Sequence, residues 1–234
     1  ATRLAWDLNE FTTSGTTISV KNIGVHPVVN SPGTYKVSEL YRGMSFSSSS
    51  AKYPALPLKS APVTVEAWIM LEKGYNGRPG IIWGNYQSEP NPYISFEVIE
   101  GGIPKLELAK SWSDTGDTMV SLQFDNVNVA TGEWLHLAIT YDASKGEAYC
   151  YVNGVSVQTI TKSIDTSILQ AAMSSNNPMV LGGDHRAGNA QYFKGKIYNV
   201  HLFSTDRSAS QIKKDNVLVC LDTAGLIYSE YNTS

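Results

Sequence analysis

Apolar and polar residues alternate with a period of two through most of this chain, most clearly in Trp134–Tyr141 (WLHLAITY). There Leu135, Leu137, Ile139 and Tyr141 share one face, and the residues between them share the other. Because successive side chains of a strand point to opposite sides, the pattern predicts strands with one packed and one partly wet face. Helical periodicity is nearly absent, so the fold class is predicted to be all-β.

Short turn signals join the predicted strands into an antiparallel meander. Asn153-Gly154 favours a type I′ hairpin, because both central positions of that turn take positive φ. Glu100-Gly101-Gly102 and Asp142–Gly146 are predicted to close two further hairpins. The predicted strands are Val63–Leu71, Tyr93–Ile99, Lys105–Ala109, Met119–Phe124, Trp134–Tyr141, Glu147–Val152, Val155–Ile160 and Tyr192–Phe203. Two such sheets facing each other form an antiparallel β-sandwich of the jelly-roll type.

The C-terminal part of the sequence carries one predicted helix and a short extension. Ser208 is expected to cap a helix over Ser208–Asp215, with Gln211 completing a capping box. Beyond it, two apolar stretches, Val217–Leu221 and Leu226–Tyr231, favour strands. An isolated strand pair is marginal in water, so residues 217–234 are predicted to pack on their own sandwich or on a neighbouring subunit, making the chain a candidate homo-oligomer.

Composition and charge exclude several classes of protein. The 234 residues are 42% apolar and 17% charged, as in a globular protein, and one domain over residues 1–216 is the economical interpretation. A net charge of −3 offers no basic field for phosphates, so neither nucleic acid nor a membrane is an expected partner. Cys150 falls on the packed face of its strand, and a Cys150–Cys220 bridge stays open. Ala1 fits a secreted protein after signal cleavage and equally one made in the cytosol.

Several segments together resemble the laminin-G-like jelly roll of the concanavalin A-like lectin and glucanase superfamily. They are LAWDLN, YRGMSFSSSSAKYPAL, VTVEAWIML, GIIWGN, GEWLHLAITYDASKGEAYCYVNGVSV, PMVLGGD, YFKGKIYNVHLFS and RSASQIKKD, and they cover about residues 3–216. The resemblance implies a jelly-roll sandwich that binds glycans or proteins or builds an assembly. It also implies an extracellular, cell-surface or virion-surface location.

Catalysis is not predicted, although the superfamily includes glycoside hydrolases. Retaining glycosidases need two carboxylates about 5 Å apart, which the family's glucanases carry as E-x-D-x-x-E on one strand. The chain has no such run. Glu97 and Glu100 fall on opposite faces and Glu107 is alone in its strand, so we interpret these as solvated carboxylates. His136 and His201 are interpreted as pleat or core-edge residues, because no companion stands at metal-ligand spacing.

Sugar binding needs aromatic faces together with planar polar groups, and three predicted loops offer both. They are Trp83–Tyr93, Ser111–Asp117 and Gly182–Tyr192. The candidate ligand-binding residues in them are Tyr86, Tyr93, Trp112, Asp184, His185, Arg186 and Asn189. The alternatives are that Trp112 closes one end of the sandwich, that Asp184 and Arg186 form an ion pair within their loop, and that the tyrosines anchor a hairpin.

The residues and the resemblance together predict a non-catalytic, lectin-like module that binds a glycan or glycoprotein, or an adhesion module. A structural protein of a virion or filament is the alternative, and a glycoside hydrolase is disfavoured. The resemblance also implies a structural Ca²⁺, for which Asp114 and Asp117 are candidate ligands, with Asp7 and Asp142 as further candidates. Isolated aspartates in turns are equally explained as Asx-turn formers.

Overall fold

Seventeen strands and two helices form the described part of the chain in the computed structural model. The structure describes residues 2–14, 17–22, 31–34, 44–46, 51–53, 63–75, 80–84, 92–111, 119–173, 179–183, 193–203, 205–216, 220–222 and 225–227. The strands are β1 Thr2–Ser14, β2 Thr17–Asn22, β3 Ser31–Thr34, β4 Met44–Phe46, β5 Ala51–Tyr53, β6 Val63–Leu71, β7 Gly80–Gly84, β8 Tyr93–Ile99, β9 Ile103–Ala109, β10 Met119–Gln123, β11 Leu135–Asp142, β12 Glu147–Val152, β13 Val155–Thr161, β14 Met179–Leu181, β15 Gly195–Phe203, β16 Cys220–Asp222 and β17 Gly225–Ile227. The helices are α1 Thr166–Met173 and α2 Ala209–Asp215.

Two large antiparallel sheets confirm the predicted sandwich. The nine-stranded sheet has the order β13-β12-β11-β6-β15-β1-β2-β3, with β4 paired to β15. The six-stranded sheet has the order β10-β9-β8-β7-β14-β5. Strands β16 and β17 pair with each other in a sheet of two, so residues 217–234 do contain a strand pair. The predicted packing of that extension, on its own sandwich or on a neighbouring subunit, stays a prediction. Among the described residues, no helix is long and apolar enough to cross a membrane.

The core lies between the two sheets and contains the face predicted from the alternation. Leu135, Leu137, Ile139 and Tyr141 of β11 all belong to it. The six-stranded sheet contributes Ile82, Ile94, Phe96, Val98, Leu106, Leu108, Val120 and Leu122. Cys150 is a free thiol, and burial raises its pKa to about 12, so it is an inert core residue rather than a nucleophile.

The other face of β11 is not partly wet, as the alternation predicted, but buried. His136, Ala138 and Thr140 are 1%, 0% and 2% exposed. Helix α2 explains part of this, because its Ile212 packs with Ala138 and with Tyr151 of β12. A sheet covered on both sides buries both sets of alternating side chains, which strand periodicity alone cannot reveal.

An ion pair between Arg207, just before α2, and Asp215, the last residue of α2, links the two ends of the helix. Arg207 Nη2 donates to Asp215 Oδ1 at 2.6 Å, and the guanidinium lies 4.0 Å from the centre of the Phe203 ring. The predicted capping box is confirmed, because the Gln211 N–H donates to Ser208 Oγ and the Ser208 N–H donates to Gln211 Oε1. The helix is therefore attached to β15 through Phe203.

We expect Ser208→Ala to lower the free energy of unfolding by about 1 kcal/mol, because the first turn of α2 loses its side-chain acceptor. Urea denaturation followed by tryptophan fluorescence measures the change. Ser163→Ala is the matched control, since Ser163 is exposed and lies outside both helices. Equal stability of the two variants would contradict a stabilising role for the cap.

A second helix, α1, corrects the prediction of a single short helix. Asp165 precedes it, and its Oδ1 accepts the Ser167 N–H at 2.7 Å. Ile168, Leu169 and Ala172 then join the core between the sheets. The sequence signal for α1 is an aspartate cap followed by apolar residues at helical spacing. The signal is weak because the helix spans only eight residues. Such a short segment takes its stability from tertiary packing.

Candidate functional site

The outward-facing side chains of β8, β9 and β10 form three rows across the six-stranded sheet. The predicted β8–β9 turn is confirmed, with positive φ at Gly101 (81°) and Gly102 (74°), and it sets the register of the two strands. From β8 through β9 to β10, the rows are Tyr93, Ala109 and Met119; Ser95, Glu107 and Ser121; and Glu97, Lys105 and Gln123. We call the second and third rows the polar face.

A lysine between two glutamates forms the centre of the polar face. Lys105 Nζ lies 2.9 Å from Glu97 Oε1 and 2.5 Å from Glu107 Oε2. The Ser95 hydroxyl donates to Glu97 Oε2 at 3.1 Å, and the Tyr93 hydroxyl donates to Glu107 Oε1 at 2.7 Å. Each of the four carboxylate oxygens therefore already has one donor, and the two carboxylates are held in fixed orientations.

Burial and charge act against each other in this cluster. Glu97 is 4% exposed, and desolvation raises the pKa of its carboxyl, although Lys105 opposes the rise. Burial alone would lower the pKa of Lys105, but the two glutamates outweigh it, so that pKa is raised. Lys105 therefore stays protonated at neutral pH and compensates part of the buried negative charge.

The interpretation of Glu97 and Glu107 as solvated, separate carboxylates was wrong. Glu97 is buried, and the Glu107 side chain is only 16% exposed. The pattern within each strand shows each glutamate alone, whereas the hairpin register places Glu97 opposite Lys105 and Ser95 opposite Glu107. The Glu100-Gly101-Gly102 turn carried this information, because a hairpin turn determines which residues face each other.

Exposure of the polar face increases toward β10, the edge strand of the sheet. Ser95 is 2% exposed, whereas Ser121 and Gln123 are half-buried. The Gln123 amide donates to Asp125 Oδ1 at 2.6 Å, which orients its carbonyl group. The face thus combines hydroxyl, amide, carboxylate and ammonium groups in fixed positions, with its most accessible side on β9 and β10.

Of the predicted ligand-binding residues, Tyr93 is the one within the described part of the chain. It lies in β8 and is 3% exposed, and its ring packs with Ala109 and Met119. Its hydroxyl donates a hydrogen bond to Glu107. Tyr93 is therefore a buried strand residue that supports the polar face, and not an exposed anchor of the hairpin. The others, Tyr86, Trp112, Asp184, His185, Arg186 and Asn189, lie outside the described residues.

The strands that precede the three predicted loops do not all run toward the same end of the six-stranded sheet. Gly84 pairs with Ser95, while Ala109 pairs with both Tyr93 and Met119, so residues 85–91 and 112–118 begin at the same end of the sheet. Strand β14 runs antiparallel to β7, and the Gly182 N–H donates to the Ile82 carbonyl. Residues 184–190 therefore follow a strand that runs toward the opposite end.

The calcium hypothesis stays a prediction. Asp114 and Asp117 lie outside the described residues, as does the side chain of Asp7. Asp142 is a turn former, because its Oδ1 accepts the N–H groups of Ser144 and Lys145, and Lys145 Nζ lies 3.0 Å from its Oδ2. Across the ranges that the structure describes, no three His, Cys, Asp or Glu side chains are grouped to hold a metal ion.

A second polar cluster lies on the outer face of the nine-stranded sheet, and no local sequence pattern indicates it. Glu66 of β6 is fully buried, with His201 Nδ1 2.8 Å from its Oε1 and His136 Nε2 3.7 Å from its Oε2. Desolvation raises the pKa of Glu66, and burial lowers the pKa of His136 to about 3. His136 is thus a neutral, buried strand residue, consistent with its interpretation as part of the pleat.

Comparison with known proteins identifies the architecture. Residues 46–213 match a laminin-G family model described as the concanavalin A-like lectin/glucanases superfamily. This match lies inside the region of residues 3–216 over which the sequence resembles that superfamily. No curated protein sequence matches the chain.

Solved structures share the fold at low sequence identity. Domain 4 of AbnA, a GH43 extracellular arabinanase from Geobacillus stearothermophilus in complex with arabinotriose, is 17% identical, with 92% of this chain and 97% of that domain covered and a TM-score of 0.55. The CBM40 of the Ruminococcus gnavus IT-sialidase, bound to alpha2,3 sialyllactose, is 14% identical over 74% of this chain and 94% of that chain, with a TM-score of 0.54. The botulinum neurotoxin serotype D binding domain is 17% identical, and the match covers 92% of this chain but 51% of that chain, with a TM-score of 0.61. These likenesses show a shared jelly-roll sandwich.

Proposed function

The chain belongs to the concanavalin A-like lectin/glucanase superfamily, and on that basis we propose that it is a non-catalytic carbohydrate-binding module that binds glycan on its polar face. Two of the structural neighbours hold oligosaccharides, namely sialyllactose and arabinotriose. We propose a glycan or glycoprotein as the partner and an extracellular location. An adhesion role is a narrower form of the same proposal.

The observation that carries the proposal is the hydrogen-bonded cluster of Glu97, Lys105 and Glu107 with its supports. Sugar hydroxyls need acceptors and donors of fixed geometry, and flexible side chains lose affinity because they must be ordered on binding. Here Ser95 and Tyr93 already orient both carboxylates before any ligand arrives. Glu107, whose side chain is 16% exposed, keeps lone-pair capacity beyond the single donor on each of its oxygens, so it can accept a further hydroxyl.

Aromatic side chains for stacking on the sugar would come from the predicted loop residues Tyr86 and Trp112. Support for this comes from the sheet itself, because residues 85–91 and 112–118 both begin at the Tyr93 end of the polar face. In this proposal, Trp112 and Tyr86 contact the apolar C–H face of a sugar whose hydroxyls reach Glu107 and Ser121. Asp184, His185, Arg186 and Asn189 follow a strand that runs toward the opposite end of the sheet, so we propose that they contact a second part of the glycan rather than the same sugar.

The same cluster argues for binding rather than hydrolysis. A retaining glycosidase places the scissile bond between its two carboxyl groups, one acting as acid and the other as nucleophile. In this chain the Lys105 ammonium contacts both carboxylates and occupies that position. A structural role in a virion or filament, with oligomerisation through residues 217–234, stays an alternative prediction for which the described residues offer no specific support.

The test is a glycan array probed with the purified protein and with Ser121→Tyr. Ser121 is half-buried on the edge strand of the polar face, so a tyrosine there covers the face. We expect saturable binding by the unmodified chain and at least about tenfold weaker binding by Ser121→Tyr, equivalent to about 1.4 kcal/mol.

Thr159→Tyr is the matched control, because Thr159 is exposed on β13, the edge strand of the other sheet. It should bind glycan as the unmodified chain does. Absence of binding to every glycan would overturn the proposed function. Unchanged binding by Ser121→Tyr would keep the function but remove the polar face as its site.

A further inference from the structure

The polar face carries an excess of negative charge that a ligand must tolerate. Among the outward-facing residues of β8, β9 and β10, all of which the structure describes, Lys105 is the one cation, and Glu97 and Glu107 are the two anions. The remaining members of the three rows are uncharged. With all three groups ionised, the face has a net charge of about −1.

Lys105 is already paired with two carboxylates of its own protein. Its ammonium lies 2.9 Å from one carboxylate and 2.5 Å from the other, and its side chain is 15% exposed. A ligand carboxylate approaching Lys105 would compete with both glutamates, and it would lie beside two like charges in a partly desolvated site. Ligand hydroxyls meet no such penalty, because the partly exposed Glu107 oxygens can accept them.

From this charge arrangement we infer that the site takes uncharged sugar residues and discriminates against sugars that carry a carboxylate, such as sialic and uronic acids. The inference rests on the proposed function and deepens it by naming the class of ligand. It sets this chain apart from its structural neighbour that is bound to a sialylated lactose. One unit of like charge about 6 Å away costs about 1.4 kcal/mol at a dielectric constant of about 40, so the discrimination should be about tenfold.

The experiment measures binding to an array of neutral oligosaccharides, each paired with a counterpart that carries one sialic or uronic acid. We expect the unmodified chain to bind the neutral members about tenfold more tightly than the acidic ones. In Glu97→Gln/Glu107→Gln, Lys105 loses its counter-ions while the shape of the face is kept, so the ratio should fall to one or reverse.

Glu100→Gln is the matched control, since it removes the same charge from the exposed turn that joins the two strands. It should keep the preference of the unmodified chain. Glu107→Gln alone, with an intermediate ratio, serves as the second variant if the double variant melts at a much lower temperature.

Three negative outcomes are distinguishable. If the chain binds acidic glycans as well as or better than neutral ones, the inference fails while the proposed function stands. If the chain binds no glycan at all, the proposed function fails and the inference falls with it. An unchanged ratio in both glutamine variants would also overturn the inference, because the selectivity would not arise from these two charges.

Discussion

Replacing Lys105 with methionine is expected to lower the free energy of unfolding by about 3 kcal/mol at pH 7. Among the described residues, Lys105 supplies the one ammonium that contacts the buried Glu97 and the half-buried Glu107, and the substitution removes it. Removing one partner of a buried ion pair leaves an uncompensated charge in a poorly solvated place, which costs more than the pair itself contributes. Guanidinium denaturation at pH 7 measures the loss.

The pH dependence of this loss of stability shows whether Lys105 acts through its charge or through the packing of its side chain. Without Lys105, the pKa of Glu97 should rise further, because desolvation is its largest perturbation and the lysine opposed it. A carboxyl whose pKa is raised on folding stabilises the protein at low pH and loses that contribution as the pH rises through the folded value. The deficit of Lys105→Met should therefore shrink between pH 7 and pH 4.

A triple variant, Lys105→Met with Glu97→Gln and Glu107→Gln, serves as the control, because it removes the charges together with their partner. It should recover most of the stability lost in Lys105→Met at pH 7. A deficit that stays the same at all pH values, with no recovery in the triple variant, would mean that Lys105 acts through the packing of its aliphatic stem.

Acidification should destabilise the protein through His136 by up to about 5 kcal/mol between pH 6.5 and pH 3. Burial lowers the pKa of His136 from 6.5 to about 3, while in the unfolded chain it returns to the ordinary value. Between these values the unfolded state binds a proton that the folded state does not, so stability falls as the pH falls. The lowering from 6.5 to about 3, at about 1.4 kcal/mol per pH unit, gives the size of the effect.

A neighbouring group also contributes to the dependence of the free energy of unfolding on pH. Glu66 lies beside His136, and because its pKa is raised, it contributes stability at low pH that is lost as the pH rises. The total slope of the unmodified chain is therefore smaller than that of His136 alone. The difference in slope between the unmodified chain and a His136 variant reports the histidine.

His136→Phe keeps an aromatic ring beside Trp68 and cannot be protonated. Its free energy of unfolding, measured by urea denaturation at pH values from 7 to 4, should depend less steeply on pH than that of the unmodified chain. Any overall destabilisation from the larger ring shifts all values equally and leaves the slope unaffected. Parallel curves for the two proteins would show that His136 is not the acid-sensitive group.

Strands β8 and β9 mark the limit of what the pattern within a single strand predicts. Both strands and their turn were predicted, and Tyr93–Ile99 was predicted with the observed bounds. The polar face does not show in either strand alone, because its glutamates and lysine lie on two strands and meet only through their register. Counting outward from Glu100-Gly101-Gly102 would have placed Glu97 opposite Lys105, since the turn determines the register.

The alternation and the turn residues by themselves determined the antiparallel strands, the inward face of β11 and the capped start of α2, because these depend on interactions between residues close together in the chain. Tertiary structure alone decided that Glu66 and His136 are buried and that Glu97 is partly compensated by Lys105. The physical reason is that burial of an outward-facing side chain depends on what covers it. For β11 that cover includes Ile212, which lies about 70 residues further along the chain and which no local pattern in β11 can predict.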